Sequence, residues 1–490
     1  MSKVGIVAHG AYVPQSRLQR SAVVASVAWF NSGLKALAKG ERAMAGWDED
    51  VITMALEAAR DCLVDAGRER VAKIVLASTS APFADRQNSG VVKEALNLTD
   101  GVAAQDVGGS QRAGTSALLD ALQASLGGAG DVLCLAAERR RAKPASEAEL
   151  VYGDAAAGLL VGTGGVLAEF LGGHSVTMDF VDHFRAADAD HDYAWEARWV
   201  RDEGFGKIAP AAVKAALAKL GLTASDIKRF VMASPMKGVN AAVAKASGIA
   251  AEAVADDLGA RMGDAGCAQP LILLSHALSQ AGPGEKIMLV GFGQGCDVLV
   301  FETTAAVSQP SARLGVEGWL ARRRPEENYV KHLYFGGALT LDGGMRAESD
   351  QKTALTALYR NRKMVLGLVG GRCTETGAVQ FPKSEISVAQ NKRTKNTQED
   401  YPLADRLARV TTYTADSLAY TPDPPGFYGM VEFEGGGRLI TEFTDVQAGA
   451  VEVGQAMRMM FRIKAVDEVR GFKRYFWKAV PDYRAQAPSA

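Results

Sequence analysis

Short apolar segments alternate with amphipathic stretches along roughly the first 305 residues of the chain. Seven runs of aliphatic and β-branched residues predict buried strands at 4–8, 73–78, 131–136, 158–162, 229–233, 286–291 and 298–302. Between these runs, residues 49–66 and 211–219 carry apolar positions at helical spacing. Because strands and helices alternate, the pattern predicts a layered α/β fold.

The two halves of this region also resemble each other. Residues 57–78 (EAARDCLVDAGRERVAKIVLAS) and 215–234 (AALAKLGLTASDIKRFVMAS) follow one plan. In each, a helix ends at a glycine, a polar turn follows, and an apolar strand leads into a loop of small residues. We therefore interpret the region as an internal duplication, with halves at 1–165 and 166–310.

The pattern changes after about residue 310. Residues 311–364 are charged and interrupted by Pro and Gly, which predicts a linker with helical segments. Residues 365–490 contain aromatic and β-branched runs separated by PDPPG and EGGG. These runs predict a small all-β domain with strands at 409–413, 426–434, 438–444 and 456–463.

Composition and charge narrow the possible partners. Lys and Arg number 55 against 56 Asp and Glu, so the basic excess expected of a nucleic-acid-binding protein is missing. The five cysteines form no CxxC pair, which is typical of a reducing compartment. The N-terminal sequence does not resemble a signal peptide, and no apolar run reaches the roughly 20 residues that span a bilayer. We expect a cytoplasmic protein that binds neither membrane nor nucleic acid.

Three segments resemble the ketoacyl synthase III and HMG-CoA synthase proteins. They are the strand and GD-containing turn at 131–162, the Gly-rich hairpin KIMLVGFGQGCDVLVFE at 286–302, and GERAMAGWDEDVITMALEAARDCL, in which an acidic pair opens a helix. The matches keep their order over about residues 1–305. The resemblance implies a thiolase fold with duplicated αβαβα layers, an acyl-CoA or acyl-carrier thioester as substrate, and a homodimer.

The resemblance also locates the catalytic positions, and other residues occupy them. The string GSQRAGTSALLDAL places Gln111 where the family has its nucleophilic cysteine, at the start of a helix. Ala233 falls at the family's histidine, Asp264 at its asparagine, and Ser80 at the general-base glutamate. Since Gln cannot form a thioester, an acyl-enzyme intermediate at this position is not expected.

Further candidates come from residue type and neighbourhood. His183 and Tyr193 lie in a polar and aromatic stretch that is hard to interpret as core, so they join Gln111 and Asp264 as catalytic candidates. The substrate-binding candidates are Ser80, Ala233, Asn240 and Gly293. Cys267 is either a displaced nucleophile or a small buried residue, and Arg139–Arg141 is interpreted as a solvated face or a contact for the CoA phosphates.

The C-terminal region resembles the zinc-ribbon/OB-fold proteins that associate with thiolases and HMG-CoA synthases. In that family a ribbon with four metal-binding cysteines precedes the OB-fold. Here GGRCTETGAVQFPKSEIS keeps Cys373, whereas Thr376 and Ser387 replace cysteines. Tetrahedral zinc needs four Cys or His ligands, so we predict a degenerate ribbon without zinc.

Three functions remain open from the sequence. The first is an HMG-CoA synthase-like enzyme that makes or breaks a C–C bond next to a thioester, by retro-aldol cleavage or decarboxylation, without an acyl-cysteine or a covalently bound cofactor. The second is a catalytically degenerate subunit that bridges to an active thiolase-like chain. The third is an acyltransferase or condensing enzyme that uses Cys267.

Overall fold

The strands and helices of the first part of the chain follow one another as the apolar pattern indicates. The strands are β1 (Gly5–Tyr12), β2 (Ser16–Gln19), β3 (Glu41–Met44), β4 (Val71–Ala77), β5 (Ala103–Val107), β6 (Asp131–Glu138), β7 (Ala155–Gly162), β8 (Ala168–Thr177), β9 (His183–Phe184), β10 (Tyr193–Ala194), β11 (Ile227–Met232), β12 (Lys286–Phe292), β13 (Gly295–Thr303) and β14 (Arg324–Glu326). The helices are α1 (Arg20–Val27), α2 (Val51–Cys62), α3 (Asn88–Ala95), α4 (Ala113–Leu126), α5 (Glu147–Val151), α6 (Ala197–Trp199), α7 (Ala209–Leu220), α8 (Val239–Ala246), α9 (Gln269–Gln280), α10 (Gly315–Ala321) and α11 (Tyr329–Phe335).

The computed structural model describes residues 3–348, 354–389 and 391–484. Contacts divide the chain into two units. The first comprises Met1–Gly46, Asp50–Gly90 and Asp100–Leu339, and the second comprises Trp47–Glu49, Val91–Thr99 and Thr340–Ala490. None of the helices in the described ranges is long and apolar enough to cross a membrane.

The main sheet of the first unit shows the duplication directly. Its strand order is β11-β12-β13-β8-β1-β7-β6-β4-β5. In the first half β4 and β6 are parallel, and β6-β7-β1 continue antiparallel. In the second half β11 and β12 are parallel, and β12-β13-β8 continue antiparallel. The matching segments seen in the sequence therefore correspond to α2–β4 and α7–β11.

The helices complete the layers. α2 packs on β1, β7 and β6, and α7 packs on β8 and β13. α4 and α9 contact strands of both halves, so they form a central layer between them. This is the αβαβα arrangement that the sequence predicts for a thiolase fold. It brings the amino-terminal end of α4 close to the turn before α9.

All seven predicted strands of this region are present, with ends that differ by a few residues. The alternation did not reveal β8 or the edge strand β5. Both are partly exposed along their length, so they lack the continuous apolar run of the central strands. The predicted helices also form. An Asp50–Thr53 capping box starts α2, and Gly221, with φ +64°, ends α7.

The second unit contains two sheets. Its strands are β15 (Val369–Cys373), β16 (Val379–Gln380), β17 (Gln398–Pro402), β18 (Ala408–Asp416), β19 (Gly426–Phe433), β20 (Arg438–Glu442), β21 (Ala456–Asp467) and β22 (Phe472–Pro481), with helices α12 (Leu355–Arg360) and α13 (Arg362–Val365). The order β20-β19-β18-β21-β22 gives one five-stranded antiparallel sheet, and β16-β15-β17 gives a smaller one. The four predicted strands are confirmed as β18–β21, whereas β15, β16, β17 and β22 were missed.

Buried charge characterises this second unit. Arg462 and Lys478 are almost fully buried on β21 and β22. Lys478 Nζ lies 3.1 Å from Asp48 Oδ2, and Arg462 Nη2 lies 3.2 Å from Glu49 Oε1. The acidic residues before α2 therefore neutralise cations that would otherwise be too costly to bury.

The layered packing of the first unit predicts the effect of adding one methyl group. A Cβ at Gly114 on α4 would lie 2.1 Å from the Cys267 backbone oxygen, whereas a Cβ at Gly101 would meet nothing within 4 Å. We expect Gly114→Ala to lower the free energy of unfolding by roughly 1–3 kcal/mol. Gly101→Ala should change it by less than about 0.5 kcal/mol. Urea unfolding followed by circular dichroism measures both, and equal values would contradict the tight approach of α4 to the Cys267 turn.

Candidate functional site

Gln111 precedes Arg112, the N-cap of α4, and so lies at the positive end of the helix dipole. Its Nε2 donates a hydrogen bond to Thr79 Oγ1 over 3.2 Å. Gly293, in the hairpin between β12 and β13, packs against this turn: a Cβ there would lie 2.9 Å from Arg112 N and 3.1 Å from Gln111 N. Two of the predicted residues, Gln111 and Gly293, are therefore neighbours, and only a glycine fits at 293.

Glu138 ends β6 beside this position and is fully buried. Its carboxylate accepts hydrogen bonds from Thr79 N at 3.2 Å and Thr79 Oγ1 at 3.0 Å, and also from the Ser78 and Ser80 hydroxyls. The hydroxyl of Ser80, a predicted substrate-binding residue, is thus hydrogen-bonded to Glu138. Thr79 is the residue of this loop that also contacts Gln111.

Asp264 lies in the turn before α9 and pairs with a buried arginine. Arg140 Nη2 is 2.7 Å from Asp264 Oδ1, which also accepts a hydrogen bond from Gly266 N at 2.9 Å. Burial raises the pKa of Asp264, and the Arg140 charge opposes part of that effect. The Arg140 guanidinium lies 3.6 Å from the centre of the Tyr152 ring, and burial raises the pKa of Tyr152 to about 12. The expectation of a solvated face is wrong for Arg140.

Gln111 and Asp264 meet at Gly266. A Cβ at Gly266 would lie 2.5 Å from Gln111 Oε1 and 2.8 Å from Arg140 Nε. Within the described ranges, neither of these buried atoms has a hydrogen-bond partner. The Gln111 acceptor and the Arg140 donor therefore both lie against the Gly266 backbone, in space that a side chain at this position would fill.

The segment 182–195 contributes residues other than the predicted ones. Asp192 accepts a hydrogen bond from Tyr152 Oη at 3.2 Å and pairs with Arg185 at 2.8 Å. His183 Nδ1 instead lies 3.1 Å from Asp182 Oδ2. Tyr193 is exposed and packs on its aromatic neighbours Phe184 and Trp195. Asp192 and Arg185 are thus the residues of this segment that extend the buried polar contacts of Tyr152. The contacts of His183 and Tyr193 do not support their selection as catalytic residues.

The other two predicted residues lie at the second half of the sheet. Ala233 follows β11, whose parallel neighbour β12 leads into Gly293, so it lies at the same edge as the Gln111 turn. Its methyl group can contribute only surface to a site. Asn240 is in the first turn of α8, where its Oδ1 accepts a hydrogen bond from Ala241 N at 2.8 Å.

The cysteines of this unit are poor nucleophiles. Cys62, Cys134, Cys267 and Cys296 are all buried. Burial raises the pKa of Cys267 well above its usual range, and the neighbouring Glu138 raises it further. Since the thiolate is the reactive form, this environment favours the structural interpretation of Cys267 over a displaced nucleophile.

The ribbon of the second unit differs from the prediction in one ligand position. Cys373 and Thr376 occupy the first turn as expected, but the second turn presents Thr394 and Thr397. Their Oγ1 atoms are each 3.2 Å from Cys373 Sγ. The choice of Ser387 is therefore wrong: its hydroxyl accepts a bond from Ala389 N, and the chain places Thr394 and Thr397 at the thiol.

Thr79, Glu138, Arg140 and Asp192 are the site residues that sequence reasoning missed. The ends of neighbouring strands in a sheet lie close together. The position of Glu138 and Arg140 at the end of a strongly apolar strand was therefore the only signal for them in the sequence. A charged residue there is either solvated or buried in an ion pair, and the sequence alone does not distinguish the two.

Comparison with known proteins agrees with the fold. A family model described as the C-terminal part of 3-oxoacyl-[acyl-carrier-protein] synthase III matches residues 217–300, and one described as the ChsH2 C-terminal OB-fold domain matches residues 403–462. Among solved structures, 3-oxoacyl-(acyl carrier protein) synthase III from Pseudomonas aeruginosa aligns with a TM-score of 0.54 at 22% identity, covering 62% of this chain and 98% of its own. PksG, an HMG-CoA synthase from Bacillus subtilis, aligns with 0.60 at 18%, covering 71% and 95%. The first unit thus has the thiolase-type fold of these condensing enzymes.

Sequence similarity identifies the family more closely. The hydroxymethylglutaryl-CoA synthase of Pyrococcus furiosus is 30% identical over 305 residues, which cover 60% of this chain and 84% of the relative. That of Pyrococcus horikoshii is 28% identical over 330 residues, covering 66% and 93%. This chain belongs to the hydroxymethylglutaryl-CoA synthase family, with a ChsH2-type OB-fold domain at its C-terminus.

The buried ion pair predicts a large effect of removing one partner. Arg140→Met should lower the free energy of unfolding by roughly 3–5 kcal/mol, because it leaves Asp264 as an uncompensated buried carboxylate. Arg261→Met is the matched control, since Arg261 pairs with Glu317 at the surface and should contribute below about 1 kcal/mol. Urea unfolding of both variants tests the difference. A small effect at Arg140 would mean that the pair is not buried as described.

Proposed function

We propose that the chain processes an acyl-CoA or acyl-carrier thioester by making or breaking a C–C bond beside the carbonyl, without an acyl-cysteine intermediate. The observation that carries this proposal is Gln111 at the start of α4, where the family resemblance assigns the nucleophilic cysteine. Its amide is held by Thr79 and lies next to the Asp264 carboxylate across Gly266. The position suits polarisation of a carbonyl, whereas covalent catalysis there would need a different side chain.

The same geometry supports a retro-aldol direction with a β-hydroxyacyl thioester. Asp264, which lies across Gly266 from Gln111, would remove the proton of the β-hydroxyl of the substrate. The Cα–Cβ bond would then break, leaving a carbonyl product and a thioester enolate, whose oxygen would be stabilised by N–H groups at the start of α4. Protonation of the enolate carbon completes the balance.

Decarboxylation is the other reaction of this type, and it would use the same enolate stabilisation with carbon dioxide as the leaving group. It needs no general base for a hydroxyl, so it would leave Asp264 without a role in the bond-breaking step. The presence of the Asp264 carboxylate beside Gln111 therefore favours the β-hydroxyacyl substrate. No covalently bound cofactor is required by either reaction, and the free cysteines suit the reducing cytoplasm.

A second function is a catalytically degenerate subunit that bridges to an active thiolase-like chain through its OB-fold. One observation favours it: the Asp264 carboxylate is buried and already paired with Arg140, as a purely structural carboxylate would be. Under this function the chain would bind a thioester and deliver it to its partner. Co-purification of a second thiolase-like chain would support it.

We also propose that the chain forms a homodimer. β5 is the edge strand of the nine-stranded sheet and is exposed along much of its length, with β4 on one side. A second copy would pair with or cover this edge, as natural sheets usually require. Sedimentation equilibrium should give twice the 51.8 kDa of one chain, and a mass of 51.8 kDa would refute the proposal.

Activity assays on the purified chain test the enzyme proposal. With a β-hydroxyacyl-CoA, Gln111→Ala should lower kcat/KM roughly 10²–10³-fold, as loss of one oxyanion donor does. Asp264→Asn should lower it roughly 10²–10⁴-fold. Since Asp264 must be ionised to act and its pKa is raised, wild-type kcat/KM should fall with decreasing pH sooner than an ordinary aspartate would dictate.

Two exposed residues on α4 serve as matched controls: Gln123→Ala and Asp120→Asn should leave kcat/KM unchanged. Titration calorimetry with CoA shows whether the active-site variants still bind. Mass spectrometry of the wild type after incubation with acyl-CoA should show no acylated cysteine. Absence of turnover with both β-hydroxyacyl and malonyl-type thioesters would refute the enzyme proposal and leave the bridging subunit.

A further inference from the structure

The small sheet of the second unit is held together at two turns that present one thiol and three hydroxyls to each other. The first turn, 373–378, closes with Cys373 N donating to Ala378 O over 2.9 Å and Gly377 N donating to Cys373 O over 2.8 Å. The second turn carries Thr394 and Thr397. Thr374 N donates to Thr397 O over 2.9 Å, so the two turns lie side by side.

The four side chains form a compact group. Thr394 Oγ1 and Thr397 Oγ1 are each 3.2 Å from Cys373 Sγ, and they are 2.7 Å from each other. The Thr376 hydroxyl is the fourth member and also hydrogen-bonds the sulfur. Cys373 and Thr394 are buried, so these groups satisfy one another largely away from solvent. We call Cys373, Thr376, Thr394 and Thr397 the thiol–hydroxyl cluster.

The spacing of the cluster is that of a tetrahedral metal site, but its donors are not. The pairs 373/376 and 394/397 each enclose two residues, and the loop 377–393 between them falls within the roughly 15–20 residues usual for such sites. Zinc takes thiolate, imidazole or carboxylate ligands, and the cluster offers one thiol. Across the described ranges, no group of three or more His, Cys, Asp or Glu side chains could hold a metal ion. The residues do not fit the zinc that the family resemblance implies.

We propose that the thiol–hydroxyl cluster takes the place of a metal ion as the link between the two turns, so that the ribbon folds on hydrogen bonds while keeping the positions of a four-ligand site. Two consequences follow. The wild-type ribbon needs no metal, and cysteines introduced at the three threonine positions should recreate a tetrahedral thiolate site.

The hydrogen bonding around Cys373 supports the first consequence. The Thr394 and Thr397 hydroxyls each lie 3.2 Å from Cys373 Sγ and 2.7 Å from each other, so hydrogen bonds run directly between the two turns. The cluster therefore has a physical basis for holding the two turns together.

The distances support the second consequence. In a tetrahedral site with Zn–S bonds of about 2.3 Å, neighbouring sulfurs are about 3.8 Å apart. The separations around Cys373 Sγ are shorter than this because they join hydrogen-bonded atoms that face one centre. Cysteine has a longer C–S bond than the C–O bond of threonine, so the cluster would need to expand only slightly to hold a central ion. A cavity of about 470 Å³, lined by Cys373, Arg372 and Glu399, lies beside the first turn.

The test uses the full-length triple variant T376C/T394C/T397C titrated with Co²⁺. We expect binding of one Co²⁺ per chain with the visible absorption and thiolate charge-transfer bands of a tetrahedral four-sulfur site, displaced by Zn²⁺. The matched control T376C/T394C/S387C has the same number of cysteines, but Ser387 lies outside the cluster. It should give no such spectrum. Equal spectra from both variants, or none from the first, would overturn the assignment of the four positions.

Stability measurements test the metal-independent link separately, without new cysteines. Thr394→Val and Thr397→Val keep the side-chain shape and remove one hydroxyl each, so each should lower the Tm by about 2–4 °C. Thr412→Val, at an exposed position on β18, should leave the Tm unchanged. A chelator should not change the Tm of the wild type. A chelator-sensitive wild type, or valine variants as stable as the wild type, would overturn the proposal.

Discussion

The ion pair between Arg140 and Asp264 is the interaction on which the site depends. Arg140 follows β6 in the first half of the duplicated fold, and Asp264 precedes α9 in the second. Both are buried, so neither charge is tolerable without the other. The pair is reinforced by the backbone, where Asp264 N donates to Val151 O over 2.8 Å and Gly153 N donates to Asp264 O over 2.9 Å. Together these contacts fix the Gly266 turn against the start of α4, and with it the position of Asp264 relative to Gln111.

The parts of the fold that sequence reasoning found are those encoded by local pattern. Continuous apolar runs identified the central strands, and repetition of the helix–turn–strand plan identified the duplication. Gln111, Asp264 and Gly293 were selected because each occupies a fixed place in a matching segment. β5 and β8 were missed because a strand with exposed positions has no unbroken apolar run. Arg140 was misjudged because three adjacent arginines suggest solvent, and only tertiary packing selects the one that is buried.

The contacts within segment 182–195 differ from those that the sequence suggested. His183 and Tyr193 were selected because they lie in a polar and aromatic stretch, yet Asp192 is the residue of this segment that contacts Arg140 and Arg185. In the ribbon, Ser387 was selected because it falls at a cysteine position when the string is matched to the family's motif. The second turn was overlooked because Thr394 and Thr397, which are separated by two residues, do not resemble a pair of metal ligands. In both segments the backbone determines which side chains converge, and chemical reactivity alone does not indicate it.

In both units, other side chains occupy positions that the resemblance assigns to cysteines. At the start of α4 an amide occupies the position that the resemblance assigns to a reactive thiol, and in the ribbon three hydroxyls occupy positions that it assigns to metal-binding thiols. The cysteines of the first unit are buried where their pKa is raised, as for Cys134 and Cys296, whose pKa values are about 12. At both places the side chain that stands in the position of a thiol is hydrogen-bonded across to another segment, Gln111 to Thr79 and the two threonines of the second turn to Cys373.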